Sequence, residues 1–118
     1  MTEPEVKSLE TPEETRPFLQ NGAVGISTLG SGTVGRVTCE PGWRWSTDVG
    51  ALSGNSVCRV NHLGYVIAGR IRIAMEDGPE IEAGPGDAFV IPPGHDAWVV
   101  GDETCQWIDF AGMETYAT

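Results

Sequence analysis

From residue 22 onward, the chain consists of short runs rich in β-branched and aromatic residues, separated by glycine or proline. The 118 residues include 16 glycines and 8 prolines, the residue types that end strands and form tight turns. The predicted strands are GTVGRVTCE, SVCRVN, GYVIAGRIRIAM, EIEA, DAFVIP, AWVV and CQWIDF. Many short strands with tight turns and no long helix indicate an all-β, antiparallel sandwich or barrel.

The start of the chain differs from the rest, because residues 1–10 are acidic and polar and show no hydrophobic period. Thr11-Pro12-Glu13-Glu14 has the features of a helix start: threonine as N-cap, proline at the first helical position and glutamate three residues after the cap. Pro17 would limit this helix to about one turn. We therefore predict an acidic N-terminal arm with a short helical turn over residues 1–20, and one barrel domain over residues 21–118.

The net charge of −10, from 7 basic and 17 acidic side chains, argues against negatively charged partners. Nucleic acid and anionic membrane surfaces both require a basic face. No apolar run approaches the ~20 residues of a membrane span. The three cysteines, Cys39, Cys58 and Cys105, are too scattered for a disulfide framework and fit a reducing compartment. We expect a cytoplasmic protein that binds neither nucleic acid nor membrane.

The turn residues have a spacing that resembles a known family. Gly50 is followed after five residues by Ser56-Val57-Cys58, after three more by His62 and after six more by Gly69. Pro85-Gly86 is followed after five residues by Pro92-Pro93-Gly94. From about residue 35 to 110 the chain resembles a single-domain cupin, and the segments EPGWRWS, HLGYVIAGR and PPGHDAW resemble a group of small bacterial cupins. The resemblance implies a cupin barrel, also called a double-stranded β-helix or jelly roll.

The same resemblance implies that the usual metal ligands are mostly replaced. In metal-binding cupins two histidines, a glutamate and a third histidine bind the ion. Here those positions are held by Ser56, Cys58, His62 and Ala97, and a following asparagine position by Gly101. The set therefore keeps one strong ligand, His62, and one further candidate, Cys58.

Strand geometry suggests a second arrangement of ligands. Residues two apart in a strand share a face, so Ser56, Cys58 and His62 could point inward together, and His95 would share the face of Ala97. Cys58, His62 and His95 would then form a three-ligand set that suits Zn²⁺, and Fe²⁺ less well. The sequence leaves structural interpretations open: a buried apolar thiol for Cys58, a core histidine for His62 and a turn residue for His95.

The aromatic residues indicate either a core or a ligand pocket. Trp43 and Trp45 would share one strand face with Arg44 on the other, and small barrels hold ligands in their interior. Asp109, in the apolar run CQWIDF, is a candidate buried carboxylate. The predicted substrate pocket consists of Trp43, Trp45, Ser56, Tyr65, Trp98 and Trp107.

Two functions follow from these features. In the first, the protein is an enzyme in which His62 and His95 carry out acid/base chemistry on a small organic molecule, as an isomerase, lyase or cyclase, with a divalent metal as an optional cofactor. In the second, the barrel binds a small molecule without turnover, as a sensor or store. The family resemblance further implies a homodimer paired through sheet edges.

Overall fold

The computed structural model describes residues 3–117 and confirms the all-β prediction. Among these residues there are nine strands, one four-residue helix and one 3-10 turn. Their bounds are β1 (Glu14–Pro17), β2 (Gly22–Leu29), β3 (Gly32–Cys39), α1 (Trp45–Asp48), the 3-10 turn (Gly50–Leu52), β4 (His62–Ala68), β5 (Ile71–Met75), β6 (Glu80–Ala83), β7 (Ala88–Ile91), β8 (His95–Val99) and β9 (Cys105–Asp109).

The strands form two antiparallel sheets. The larger sheet has the order β1-β2-β3-β9-β4-β7, and the smaller has the order β6-β5-β8. Two isolated antiparallel bridges attach irregular segments to β8. Cys58 pairs with His95, and Arg44 pairs with Trp98. These connections bring the segment before β4 next to the start of β8, where the predicted site residues lie.

The alternation of side chains explains which residues form the core. In β4, His62, Gly64 and Val66 are buried while Leu63 and Tyr65 are exposed, as expected for a strand with one face in the core. Gly64 is required at its position, because a Cβ there would lie 2.5 Å from the Phe89 ring and 2.6 Å from the Ile108 carbonyl oxygen. The inward faces of both sheets contribute to one hydrophobic core, which includes Val24, Val37, Ile73 and Trp107.

The predicted N-terminal helical turn is wrong. Residues 9–11 form a turn and a bend, and Glu14–Pro17 forms strand β1, which pairs with β2 from Glu14 opposite Ile26 to Pro17 opposite Ala23. A single helical turn gains few hydrogen bonds, whereas the strand gains a ladder to β2. The following Phe18 is buried. The division into arm and barrel at residue 20 stays a prediction.

Candidate functional site

Three predicted site residues are brought together where the segment before β4 meets the start of β8. The bridge between Cys58 and His95 places their backbones side by side, with the Cys58 N–H donating to the His95 carbonyl oxygen at 2.7 Å. His62 begins β4 and His95 begins β8, and both side chains point inward. His95 and Ala97 are both buried on one face of β8, as predicted from their spacing.

The ligand atoms of Cys58, His62 and His95 all lie within 4.8 Å of one another. Cys58 Sγ is 3.5 Å from His62 Nε2, and the two imidazole rings are 5.2 Å apart between centroids. All three residues are buried, with relative exposures of 1%, 4% and 2%. The geometry therefore matches the predicted three-ligand set, although Cys58 lies in an irregular segment and not in the predicted strand.

Both imidazole rings are held by acceptors on the side away from the cysteine. His62 Nδ1 lies 2.6 Å from Asp109 Oδ2, and His95 Nδ1 lies 2.8 Å from the Pro92 carbonyl oxygen. A carbonyl or carboxylate oxygen accepts a hydrogen bond here, so each Nδ1 is the donor and each Nε2 keeps a lone pair when the ring is neutral. The Nε2 side of each ring faces the shared space with Cys58, where His62 Nε2 contacts Cys58 Sγ.

The cysteine and histidine also shift each other's pKa. Burial raises the pKa of the Cys58 thiol, but hydrogen bonds from His62 and His95 and the charge of His62 outweigh burial and lower this pKa to about 7. Burial lowers the pKa of His62, whereas the hydrogen bonds and charges of Asp109 and Cys58 raise it to about 9. At neutral pH the pair is therefore poised to exist as thiolate and imidazolium.

Asp109, to which the sequence assigned no role, lies against the His62 ring. Its side chain is fully buried, and beside His62 it accepts hydrogen bonds from Trp107 Nε1 at 3.3 Å and from the Ala111 N–H at 3.2 Å. The run CQWIDF predicted a buried carboxylate, but only the pairing of β9 with β4 shows that it supports His62.

Three of the six predicted pocket residues line the barrel interior. Trp43, Trp45 and Trp107 are buried beside His62 and His95. The burial predicted for Trp43-Arg44-Trp45 is found, because both indoles are buried while Arg44 is exposed, although Trp45 begins helix α1 and does not lie in a strand.

The other three predicted pocket residues lie outside the interior, which corrects the prediction. Ser56 is exposed in the loop before β4, and Tyr65 is 47% exposed on the outward face of that strand. Trp98 is on the outward face of β8, where the Arg44 guanidinium stacks on its ring at 4.4 Å. Tyr65 directly follows the buried Gly64, and Trp98 directly follows the buried Ala97. Because successive side chains of a strand point to opposite faces, both aromatic rings point outward.

The barrel interior is nearly filled. About 20 Å³ of free space remains among the tryptophans, the two histidines, Phe89 and Tyr116, enough for about one water molecule or ion. Tyr116 is 2% exposed, and its ring packs edge-on against His62 with the ring centroids 5.3 Å apart. The sequence offered no signal for this residue, because it lies beyond the last strand. On its other side, Tyr116 lines an open cleft of about 220 Å³ that also contains Cys58 and Arg59.

The comparisons with known proteins agree with this architecture. The sequence matches the family model described as the cupin domain over residues 44–111. The chain belongs to the cupin family. No curated protein matches it.

Solved structures resemble this cupin in fold. A Klebsiella pneumoniae protein described as having a double-stranded beta-helix domain is 16% identical, with a TM-score of 0.62 over 94% of this chain and 86% of that one. The polyketide cyclase RemF from Streptomyces resistomycificus is 16% identical, with a TM-score of 0.63 over 91% and 78%. Oxalate decarboxylase from Lactobacillus farciminis is 17% identical, with a TM-score of 0.64 over 88% of this cupin and 32% of that chain. Identities this low establish the shared fold alone.

Within residues 3–117, no helix has the length and apolar character required to cross a membrane.

Proposed function

We propose that this cupin is an enzyme that moves protons on a small organic molecule, in a reaction of the isomerase, lyase or cyclase type, assisted by a divalent metal. The observation that supports the proposal is the convergence of Cys58 Sγ and one nitrogen each of His62 and His95 within 4.8 Å. These groups lie at the edge of an aromatic interior, where a low dielectric strengthens their electrostatic effect on a substrate.

The donor set fits zinc better than iron. A thiolate and two imidazoles are typical zinc ligands, and catalytic zinc sites combine three protein ligands with an open position. The Nδ1 contacts to Asp109 and to the Pro92 carbonyl are the kind of support that metal-binding histidines have. Non-haem iron sites usually require a carboxylate ligand, whereas Asp109 is engaged with the His62 ring. When bound, the metal would supply Lewis acidity and lower the pKa of a bound hydroxyl group.

The side chains themselves support proton transfer. With its pKa raised to about 9, His62 is protonated at neutral pH in the metal-free protein and can donate a proton. The Nδ1 of His95 donates to the Pro92 carbonyl, so its Nε2 can accept one. In the metal-free protein, an acid and a base whose ring centroids are 5.2 Å apart are close enough to act on one substrate. With zinc bound, both imidazoles would instead serve as ligands.

One observation favours the alternative function, which is binding without turnover. The interior has about 20 Å³ of free space, so in this conformation the barrel accommodates an ion or a water molecule and no organic substrate. A protein that stays closed would hold its occupant as a sensor or store.

The first experiment measures metal. After loading with zinc and removal of excess, elemental analysis is expected to find roughly one equivalent per chain. Cys58→Ser is expected to lose most of it, whereas Cys105→Ser, a matched change of another buried cysteine, is expected to retain it. Only trace metal in the loaded wild-type protein would refute the metal-assisted form.

The second experiment separates enzyme from binding module. Small carbonyl compounds are incubated separately with metal-free and zinc-loaded protein in deuterated water, and exchange at the carbon next to the carbonyl is followed by NMR. Exchange in the metal-free protein that is lost in His62→Gln and His95→Gln, with ligand binding retained, is expected for an acid/base enzyme. Binding without exchange in the wild-type protein would support the alternative.

We also propose that the protein forms a homodimer through the outward face of β4, β7 and the residue after β9. Leu63, Tyr65, Ile67, Val90 and Phe110 are large hydrophobic residues there, each between 44% and 63% exposed. Leu63 lies opposite Val90 in the β4–β7 ladder, and the Phe110 N–H donates to the Leu63 carbonyl, so the patch is continuous. A second copy is the partner that fits, because an uncharged face lets two strongly acidic chains meet without direct charge repulsion.

A further inference from the structure

Tyr116 closes the barrel with a planar aromatic ring. The ring packs edge-on against His62 at 5.3 Å and against Phe18 at 6.1 Å. Together with Trp45, it forms the wall between the nearly filled interior and the open cleft of about 220 Å³, since both residues line both spaces. If the Tyr116 ring left this position, the interior and the cleft would join, and the space released would have the shape of a planar six-membered ring.

The interior contains two indole N–H groups without a hydrogen bond of good geometry. Within residues 3–117, those of Trp43 and Trp45 are the buried side-chain nitrogen or oxygen atoms of this kind. The Trp45 indole nevertheless interacts with the Tyr116 phenol, because burial raises the pKa of the phenol and this indole lowers it. Both tryptophans line the same interior as His62, His95 and Tyr116. An unpaired buried donor is rare and unfavourable. Two of them in one cavity indicate a ligand with an oxygen atom that accepts hydrogen bonds.

The segment that carries Tyr116 is suited to move. Residues 110–117 belong to no strand, and Arg16 Nη1 ties them to the barrel by donating to the carbonyl oxygens of Met113 and Tyr116, both at 2.9 Å. Met113 is fully buried and anchors the start of the turn, whereas Ala117 has a positive φ of 59°, which is unfavourable for a residue other than glycine. Release of the Tyr116 carbonyl from Arg16 would free the ring without removing Met113 from the core.

We propose that Tyr116 occupies the position of the substrate ring, and that the substrate is a planar aromatic molecule carrying a carboxylate or carbonyl oxygen. Its ring replaces the phenol ring beside His62, and its oxygen accepts hydrogen bonds from the indole N–H groups of Trp43 and Trp45. This inference rests on the proposed function, because it names the substrate class of the same site. It also explains how a closed barrel admits an organic molecule.

Calorimetry on metal-stripped protein tests the ligand class with three probes. Benzoate has both the planar ring and the oxygen, toluene has the ring alone, and cyclohexanecarboxylate has the carboxylate on a ring that is not planar. Benzoate is expected to bind at least about tenfold more tightly than either of the others, which is the effect of one hydrogen bond or one ring fit. The proposal would be overturned if all three probes bound equally well. It would also be overturned if none of them bound to the wild-type protein or to any of the variants described below.

Variants test the positions. Trp43→Phe and Trp45→Phe keep an aromatic ring and remove the donor, so each is expected to weaken benzoate by about tenfold and leave toluene unchanged. Tyr116→Ala removes the competing ring and is expected to bind benzoate at least about tenfold more tightly than the wild type. Arg16→Gln, which keeps the ring but loosens the turn, is expected to change affinity in the same direction. Ile81→Ala, which changes an exposed hydrophobic side chain on β6, is the control and is expected to have no effect.

The outcomes separate this inference from the metal site. Unchanged benzoate affinity in both tryptophan variants, or in both Tyr116→Ala and Arg16→Gln, overturns the inference whatever the protein does with zinc. Benzoate binding that depends on the tryptophans and on Tyr116 supports the inference even if zinc loading fails, and that failure would then refute only the metal-assisted function.

Discussion

Replacing Asp109 with asparagine tests whether this carboxylate supports a metal ligand. Asp109 Oδ2 lies 2.6 Å from His62 Nδ1, and the carboxylate is fully buried, so the interaction is a charge-assisted hydrogen bond in a low dielectric. Loss of such a partner typically weakens metal binding by about 10- to 100-fold, or about 1.4–2.7 kcal/mol. Asparagine keeps the volume and one acceptor, so the fold is expected to survive.

The pH of the measurement decides how much of this loss appears. Asp109 helps to raise the pKa of His62 to about 9, so near pH 7 a metal must displace a proton from the wild-type imidazole. Asp109→Asn lowers that pKa and so reduces the proton competition, which offsets part of the loss at pH 7. Well above pH 9 the imidazole is neutral in both proteins, and the full loss of about 10- to 100-fold is expected there.

The assay is competition for zinc with a chromogenic chelator, at pH 7 and above pH 9. Asp48→Asn is the matched control, because Asp48 is also fully buried and accepts hydrogen bonds from Gln20 and Asn21 away from the histidines. It is expected to lower thermal stability without changing zinc affinity. If Asp109→Asn binds zinc as tightly as the wild type above pH 9, the carboxylate does not support the ligand and the reasoning fails.

Three further predictions concern the thiol, the packing and the dimer. In metal-free protein, the ultraviolet absorbance of the Cys58 thiolate is expected to appear as pH rises through about 7. In His62→Gln it is expected only at higher pH, because burial then raises the pKa of the thiol with less opposition. Identical titrations of the two proteins would contradict the ion pair. Gly64→Ala is expected to lower the free energy of unfolding by about 1–3 kcal/mol through overpacking. Gly32→Ala is the control and is expected to change it little, because its Cβ would meet one atom at 3.5 Å. Equal denaturation curves for the two variants would contradict this prediction. Tyr65→Glu is expected to convert a dimer to a monomer in analytical ultracentrifugation, and a dimer that persists would place the interface elsewhere.

The strand pattern allowed much of the site to be predicted. Inward and outward residues alternate in β8, so the spacing of His95 and Ala97 correctly placed both in the core. The same rule failed for Ser56, because residues 53–61 form no continuous strand and only Cys58 among them forms a bridge. Cys58 nevertheless lies at the candidate site, because its backbone pairs with that of His95. The even spacing from His62, on which the prediction relied, is not the reason.

Local signals were least informative where a distant partner offers more hydrogen bonds or more burial. The residues from Thr11 to Glu14 have a helix-start pattern, but pairing with β2 and burial of Phe18 favour a strand. Tyr116 has no pattern around it at all, and its place beside His62 depends on Arg16 and Met113, which are distant from each other in sequence.

The sequence by itself determined the fold class and the strand–turn framework, because hydrophobic alternation and the positions of glycine and proline are local properties of the chain. It also determined that His62 and His95 are the histidines available for chemistry, since the chain has only 2. The tertiary structure alone decided that Asp109 holds His62, that Tyr116 fills the barrel and that two indole N–H groups form no hydrogen bond of good geometry. Those features arise from contacts between segments far apart in the chain, and such contacts depend on how the sheets pack.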